Sequence, residues 1–238
     1  ADTARQAALD HLHSQVTDPT LRSALTPDYA FGCKRVLLSD TFYPAVASDA
    51  VTLVTAALQH VDGGTLTAAD GSRHHVDALV LATGFASARQ PYADLVVGED
   101  RTLADHWSAG MTSYASTVVA GFPNLFVLNG PNASLGHNSS VLMLEEQAAY
   151  AVRTLARRDR YAGVLRVDPA AEAAYTAEID RAAASTPWIA GGCRNWYVDP
   201  RSGRLTLLWP GTVDAFRERL ARADGSEFLH PASASTTT

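Results

Sequence analysis

Apolar positions along the chain alternate between helical spacing and short continuous runs. Residues 2–15 are Ala-rich with Leu9, Leu12 and Val16 at helical intervals, which predicts a short helix. Asp18-Pro19 opens a second one through about Leu25, with Asp as cap and Pro at the first helical position. Apolar runs at 36–38 and 51–55 read as strands, followed by a small antiparallel meander over 57–61, 65–67 and 74–76. Gly63-Gly64 and Asp70-Gly71 supply its reversals, and Gly63-Gly64 lacks the spacing and following helix of a phosphate loop. The run DALVLATG at 77–84 is apolar throughout and ends in small residues. Strands of this kind are buried on both faces in parallel sheets, with ligand crevices beyond their carboxyl ends.

Residues 89–121 predict loops with a short helix around 103–107. An apolar run at 125–128 then enters a loop rich in Gly, Pro, Asn and Ser, and a helix begins near Val141. Val141, Leu144, Ala148, Val152 and Leu155 share one helical face, the expected core side. Asn138, Ser139 and Ser140 stand where helix caps are preferred. A strand, a small-residue loop and uncovered helix N–H groups suit an electron-rich ligand edge, although an ordinary strand–loop–helix connection has the same pattern. Farther on, 164–167 and 204–209 predict strands; Asp168-Pro169 starts a helix to about Ala184, and 213–223 a last one.

Hydrophobic residues make up 47% of the 238 and charged residues 18%, enough for a substantial core in one large domain or two small ones. A net charge of -6 gives no reason to expect nucleic acid or an anionic membrane as partner. No apolar run approaches membrane-spanning length, and the first residues lack a signal-peptide pattern. The two cysteines, Cys33 and Cys193, are far apart without metal-type spacing, so a reduced cytoplasmic setting is expected. His74 and His75 lie in the meander with no Cys, Asp or Glu cluster to join them; no metal site is expected. Lys34 and Arg35 precede a predicted strand, where pattern alone reads them as a solvated rim.

Four segments taken together resemble class B flavoprotein monooxygenases, in particular Baeyer–Villiger monooxygenases of the 4-hydroxyacetophenone type. They are FGCKRVLLSDTFYPAV (31–46), DALVLATGF (77–85), GFPNLFVLNGPNASLGHNSSVLMLEEQ (121–147) and GGCRNWYVD (191–199). The resemblance implies an α/β fold with two nested dinucleotide-binding domains, for FAD and NADPH, in three layers with an appended α+β carboxyl-terminal segment. Both GxGxxG turns of that fold are absent from this sequence, so the chain resembles the carboxyl-terminal half. By the same resemblance, residues 1–76 end the NADPH domain, 77–150 belong to the FAD domain, 151–229 form a cap, and 230–238 are a disordered tail.

Carried over position by position, Arg35 matches the catalytic arginine that stabilises the flavin peroxide and its charged adduct with a ketone. Lys34 matches a lysine that contacts NADPH, and Trp196 a tryptophan that closes over the nicotinamide cofactor. Gly130, Asn132, Asn138, Ser139 and Ser140 match the loop and helix start beside the flavin ring. Leu135 and His137 fall where the substrate-pocket loop lies. The implied partners are an amino-terminal half carrying the GxGxxG turns, a small ketone and O2. The implied reaction is insertion of one oxygen beside a carbonyl, giving an ester or lactone. N- or S-oxygenation on the same scaffold is a second reading, which retention of Arg35 disfavours, and a non-catalytic binding module is a third.

Overall fold

The computed structural model describes residues 2–136 and 139–230, and the chain divides into two compact units. One comprises Ala1–Phe31 and Val36–Phe85, and the other Gly32–Arg35 with Ala86–Thr238.

The first unit opens with helices α1 (Asp2–Gln15) and α2 (Pro19–Leu25). Asp18 caps α2 by accepting a hydrogen bond from the Leu21 amide at 2.7 Å, and Pro19 occupies the first turn, where no amide partner is needed. Helix α3 (Phe42–Val46) follows, then strands β1 (Leu58–Asp62), β2 (Thr65–Ala68) and β3 (Arg73–His75). They form an antiparallel sheet in the order β1-β2-β3, with Val61 opposite Leu66 and the reversal at Gly63-Gly64, as the sequence predicts.

The predicted strands at 36–38, 51–55 and 77–82 do not form. Their residues carry no ladder, and Leu37, Leu38 and Val80 are 82%, 95% and 85% exposed. A doubly buried parallel strand exists only between neighbours that supply its hydrogen bonds and cover its two faces. No such neighbour occurs among the described residues. The core of this unit is correspondingly small: Leu12, Val16 and Ala68 are its buried apolar side chains among the described residues.

The second unit holds three apolar clusters. One gathers Leu103, Trp107, Met111, Val119 and Phe122 around the short helix α4 (Leu103–His106). Thr102 and Asp105 close that helix's start with reciprocal side-chain-to-backbone hydrogen bonds. The largest cluster lies among α5 (Ser140–Leu155), α6 (Pro169–Ala183) and, beyond the short α7 (Pro187–Ala190), α8 (Val213–Ala221). Asp168 and Thr212 cap α6 and α8, and Arg217 of α8 reaches Glu146 of α5 at 2.6 Å. The predicted strands at 125–128, 164–167 and 204–209 are reduced to single bridges at Phe126, Val167, Leu205 and Leu208.

Helix α5 departs from expectation in its orientation. Its buried side is Met143, Gln147, Tyr150 and Thr154, whereas Val141 and Val152 are 61% and 67% exposed. The helix is apolar on two sides, and α8 packs against one of them. The predicted face, with Val141, Val152 and Leu155, is the other and faces outward in this chain.

Candidate functional site

The strand–loop–helix junction is built around one side chain that periodicity does not single out. Gln147 is fully buried, donates from Nε2 to the Ser116 carbonyl at 2.6 Å and to Thr117 Oγ1 at 3.1 Å, and accepts the Asn129 amide at 2.9 Å. It thereby ties the loop after 125–128 to the body of α5. Ser139 caps α5 by accepting the Val141 amide at 3.2 Å, and Ser140 is the first helical residue. Asn138 and His137 lie outside the described residues.

Within the loop, Asn132 takes the left-handed conformation (φ 55°), one that asparagine tolerates better than most residues. Its Nδ2 donates to the carbonyls of Leu205 (2.6 Å) and Leu208 (3.0 Å), its amide to Thr206 (2.9 Å), and its carbonyl accepts Ser116 Oγ (3.1 Å). Its donors are all used inside the protein, so Asn132 acts as a buried brace. Gly130 is close-packed as well, since a Cβ there would come within 2.9 Å of Val127 Cγ1. Leu135, on the loop where the resemblance puts the substrate pocket, sits in the largest core cluster of this chain and is 3% exposed. The bridge between Ser134 and Leu208 holds this stretch against the segment 205–208, where a leucine side chain is best buried.

The same loop reaches the late aromatic segment. Gly136 lies so close to Trp188 that a Cβ would fall 3.0 Å from its Cζ2. Trp188 meets the buried Tyr197 edge to face (6.2 Å between ring centroids), and Tyr197 lies against Trp196 at 4.9 Å. Trp196 itself is 54% exposed. Its backbone is fixed on both sides: Ser87 Oγ donates to its carbonyl at 2.8 Å, and Asn195 Oδ1 accepts the Tyr197 and Val198 amides. Arg201 anchors the segment's end, holding the buried Asp199 carboxylate at 2.6 Å and the Ala88 carbonyl at 2.9 Å. Burial alone would raise the Asp199 pKa, but the hydrogen bonds from Arg201 outweigh it and hold it below the usual carboxylate value.

Lys34 and Arg35 belong to this unit although the residues on either side of Gly32–Arg35 do not. The cause is a disulfide between Cys33 and Cys193, with Cα atoms 6.2 Å apart across 160 positions of sequence. The bond places Cys33-Lys34-Arg35 alongside Cys193-Arg194-Asn195-Trp196, so the two predicted functional segments are joined covalently. It also corrects the cysteine-based expectation: the pair is bonded, and its count gives no argument for a reduced setting. Arg35 is exposed, and among the described residues no carboxylate pairs with it. No group of three or more potential metal-ligating side chains occurs among the described residues.

No protein-family model matches the chain. A Baeyer–Villiger monooxygenase of Streptomyces coelicolor is 43% identical over 234 residues, covering 96% of this chain and 45% of the relative. One from Pseudomonas aeruginosa is 40% identical over 228 residues, covering 94% and 43%. Among solved structures, a steroid monooxygenase bound to NADP superposes with a TM-score of 0.80 at 28% identity, over 97% of this chain and 46% of the other. OTEMO in complex with FAD and NADP gives 0.81 at 26% identity, over 95% and 43%.

The chain is similar in sequence and fold to the carboxyl-terminal half of Baeyer–Villiger monooxygenases. It spans less than half the length of the relatives it matches. Its architecture is α/β and corresponds to part of the fold with two dinucleotide-binding domains in those FAD- and NADP-binding monooxygenases. No helix among the described residues is long and apolar enough to cross a membrane.

Proposed function

We propose that this chain supplies the ring-side and nicotinamide-side surfaces of an FAD- and NADPH-dependent oxygenase. The reaction inserts one oxygen atom of O2 beside a ketone carbonyl, and an amino-terminal half carrying the GxGxxG turns completes the enzyme. The observation that carries this reading is the joining of the exposed, unneutralised Arg35 to the Trp196 segment within one unit. These residues fit anionic, flat cofactors: a guanidinium, an ammonium at Lys34, an exposed indole face and the amide-rich start of α5 at Ser139 and Ser140. The pyrophosphate-holding glycine turns are not in this sequence, so the grip here is partial.

Bound flavin supplies hydride acceptance and oxygen activation. Arg35 stabilises negative charge that develops beside the carbonyl, the electrostatic role a fixed guanidinium fills. Trp196 offers its exposed indole to the nicotinamide, and Lys34 its charge to a phosphate. Gln147 and Asn132 act at one remove by fixing the loop and helix start. Residues 1–76, 77–150 and 151–229 are assigned to the NADPH domain, the FAD domain and the cap. We place the enzyme in the cytoplasm, where NADPH is at hand.

The test is Arg35→Ala in the enzyme assembled with its amino-terminal half. Flavin reduction by NADPH, followed by rapid-mixing absorbance, should persist while ester formation falls about a hundredfold or more. Arg35→Lys should recover only part of the loss, because a point charge lacks the planar fork. Ester formation by Arg35→Ala at the unaltered rate would make Arg35 a rim residue and remove the assignment.

A further inference from the structure

We propose that Cys33 and Cys193 are positioning residues, whose reversible bond registers Lys34 and Arg35 against the Trp196 segment and so couples NADPH consumption to oxygen transfer. The inference deepens the oxygenase reading above and rests on it for its consequence, though not for its geometry. Four observations support it. The bond is the structural reason that Gly32–Arg35 groups with a unit from which its neighbours on both sides are excluded. The site is also built for the bond. Cys33 is fully buried, and a Cβ at Gly191 would meet the Pro187 carbonyl oxygen first and would also fall 3.0 Å from both Cβ and Sγ of Cys33. Any larger residue at 191 would have to displace the backbone of α7 as well as Cys33. On the other side, Asn195 folds the backbone beyond Cys193 with bonds to the Trp188 carbonyl and the Tyr197 and Val198 amides. The bond therefore connects Arg35 to a rigid anchor.

The fourth observation is chemical. Lys34, Arg35 and Arg194 are sequence neighbours of the two sulfurs, and cations beside a thiol favour the thiolate that reacts. Cys193 is only partly buried and Cys33 fully so, which makes the Cys193 sulfur the point of entry. Hydrogen peroxide, the by-product when an oxygenase fails to transfer its oxygen, is the oxidant. The Cys193 thiolate attacks it, forming a sulfenic acid and releasing hydroxide, which takes up a proton. The Cys33 thiolate then displaces hydroxide from that sulfur, so two thiols and one peroxide become a disulfide and two waters. A small thiol reverses the step by attacking the Cys193 sulfur, with Cys33 leaving as thiolate; a second thiol resolves the mixed disulfide. Uncoupled turnover thus restores the geometry that suppresses it.

The test begins on this chain. After hydrogen peroxide treatment, alkylation and digestion, mass spectrometry should find the Cys33 and Cys193 peptides linked, two hydrogens lighter than their sum. Amide exchange across 32–35 should be slow in that form and rise at least tenfold after phosphine reduction, with α6 and α8 unchanged. Cys33→Ser should exchange as the reduced chain does, whatever the oxidant. In the enzyme assembled with its amino-terminal half, reduction should lower ester formed per NADPH consumed about tenfold while NADPH oxidation continues, because small misplacements at a reacting centre cost rate steeply. Two fully alkylated peptides after peroxide, or exchange across 32–35 indifferent to reduction, would overturn the proposal. So would an unchanged ester yield in the reduced enzyme. A linked, protected segment in an enzyme that makes no ester in either state would support the positioning and defeat the oxygenase reading instead.

Discussion

The two units of this chain contain similar apolar patterns with opposite outcomes. Residues 36–38 and 77–82 are as hydrophobic as 125–128 and 204–209. In the second unit such runs are mostly covered, with Val127, Leu205 and Leu208 under 10% exposed although Leu128 is 49% exposed, whereas Leu37, Leu38, Val80 and Leu81 stand in the open. The difference lies in what each run needs. Leu205 and Leu208 are covered by helices and loops close by in the same unit, with Asn132 satisfying their carbonyls. A doubly covered strand needs two strand neighbours and two layers, and among the described residues of this chain no such strand neighbours occur. Hydrophobicity therefore marks what is to be buried, while topology decides whether it can be.

The largest effect that would break this contrast is in amide exchange. Core helices α5, α6 and α8 should exchange near the rate set by global unfolding, and residues 77–84 near that of free peptide, a gap of about three orders of magnitude or more. Equal protection in both units would show that the first has found cover. Supplying the proposed amino-terminal half should close the gap at 77–84. Mutational stability sharpens the same comparison. Phe216, fully buried, should cost about 3–5 kcal/mol when changed to Ala, whereas Leu38→Ala should fall within about 0.5 kcal/mol. Chemical denaturation followed by circular dichroism reads both.

Gln147→Leu should cost about 1–3 kcal/mol, because it leaves the Ser116 carbonyl buried without that partner and removes the acceptor of the Asn129 amide. A loss below 0.5 kcal/mol would show that the junction does not depend on it. The smallest effect is in pH. Asp199 has a folded pKa below its unfolded value of about 3.9, so its contribution is complete above that value and is lost as pH falls through the folded one. Asp199→Asn should therefore flatten the acid limb of the second unit's stability and leave the neutral region less stable but independent of pH.

Local chemistry was the most legible part of the sequence. Asp18-Pro19, Asp168-Pro169 and Ser139 set helix starts because a cap acts within three residues. The meander was legible for the same reason, its register following from Gly63-Gly64. Periodicity locates helix α5 but not its buried face, since a helix apolar on two sides does not say which side its own chain will cover. Gln147 looks like any polar residue until its position among Met143, Tyr150 and Thr154 is noticed; that i, i+4 and i+3 spacing was the available signal. The pairing of Cys33 with Cys193 left no local trace, because spacing carries no information about which distant cysteines meet. Motif resemblance pointed to Arg35 and Trp196 separately, and only the fold joins their segments.

The grouping of Gly32–Arg35 with the second unit has a consequence for anyone who dissects this protein. The chain passes between its units at 31/32, 35/36 and 85/86, so no single scission separates them. A gene cut after codon 85 would place Arg35 on one fragment and Trp196 on the other, leaving a sulfur–sulfur bond as their remaining covalent tie. Complementation by such fragments would depend on the redox state of the medium, whereas a cut within the loops between α8 and the tail would not. Fragment libraries, circular permutants and fusion junctions designed on linear domain boundaries would sort as functional or dead according to that one crossing.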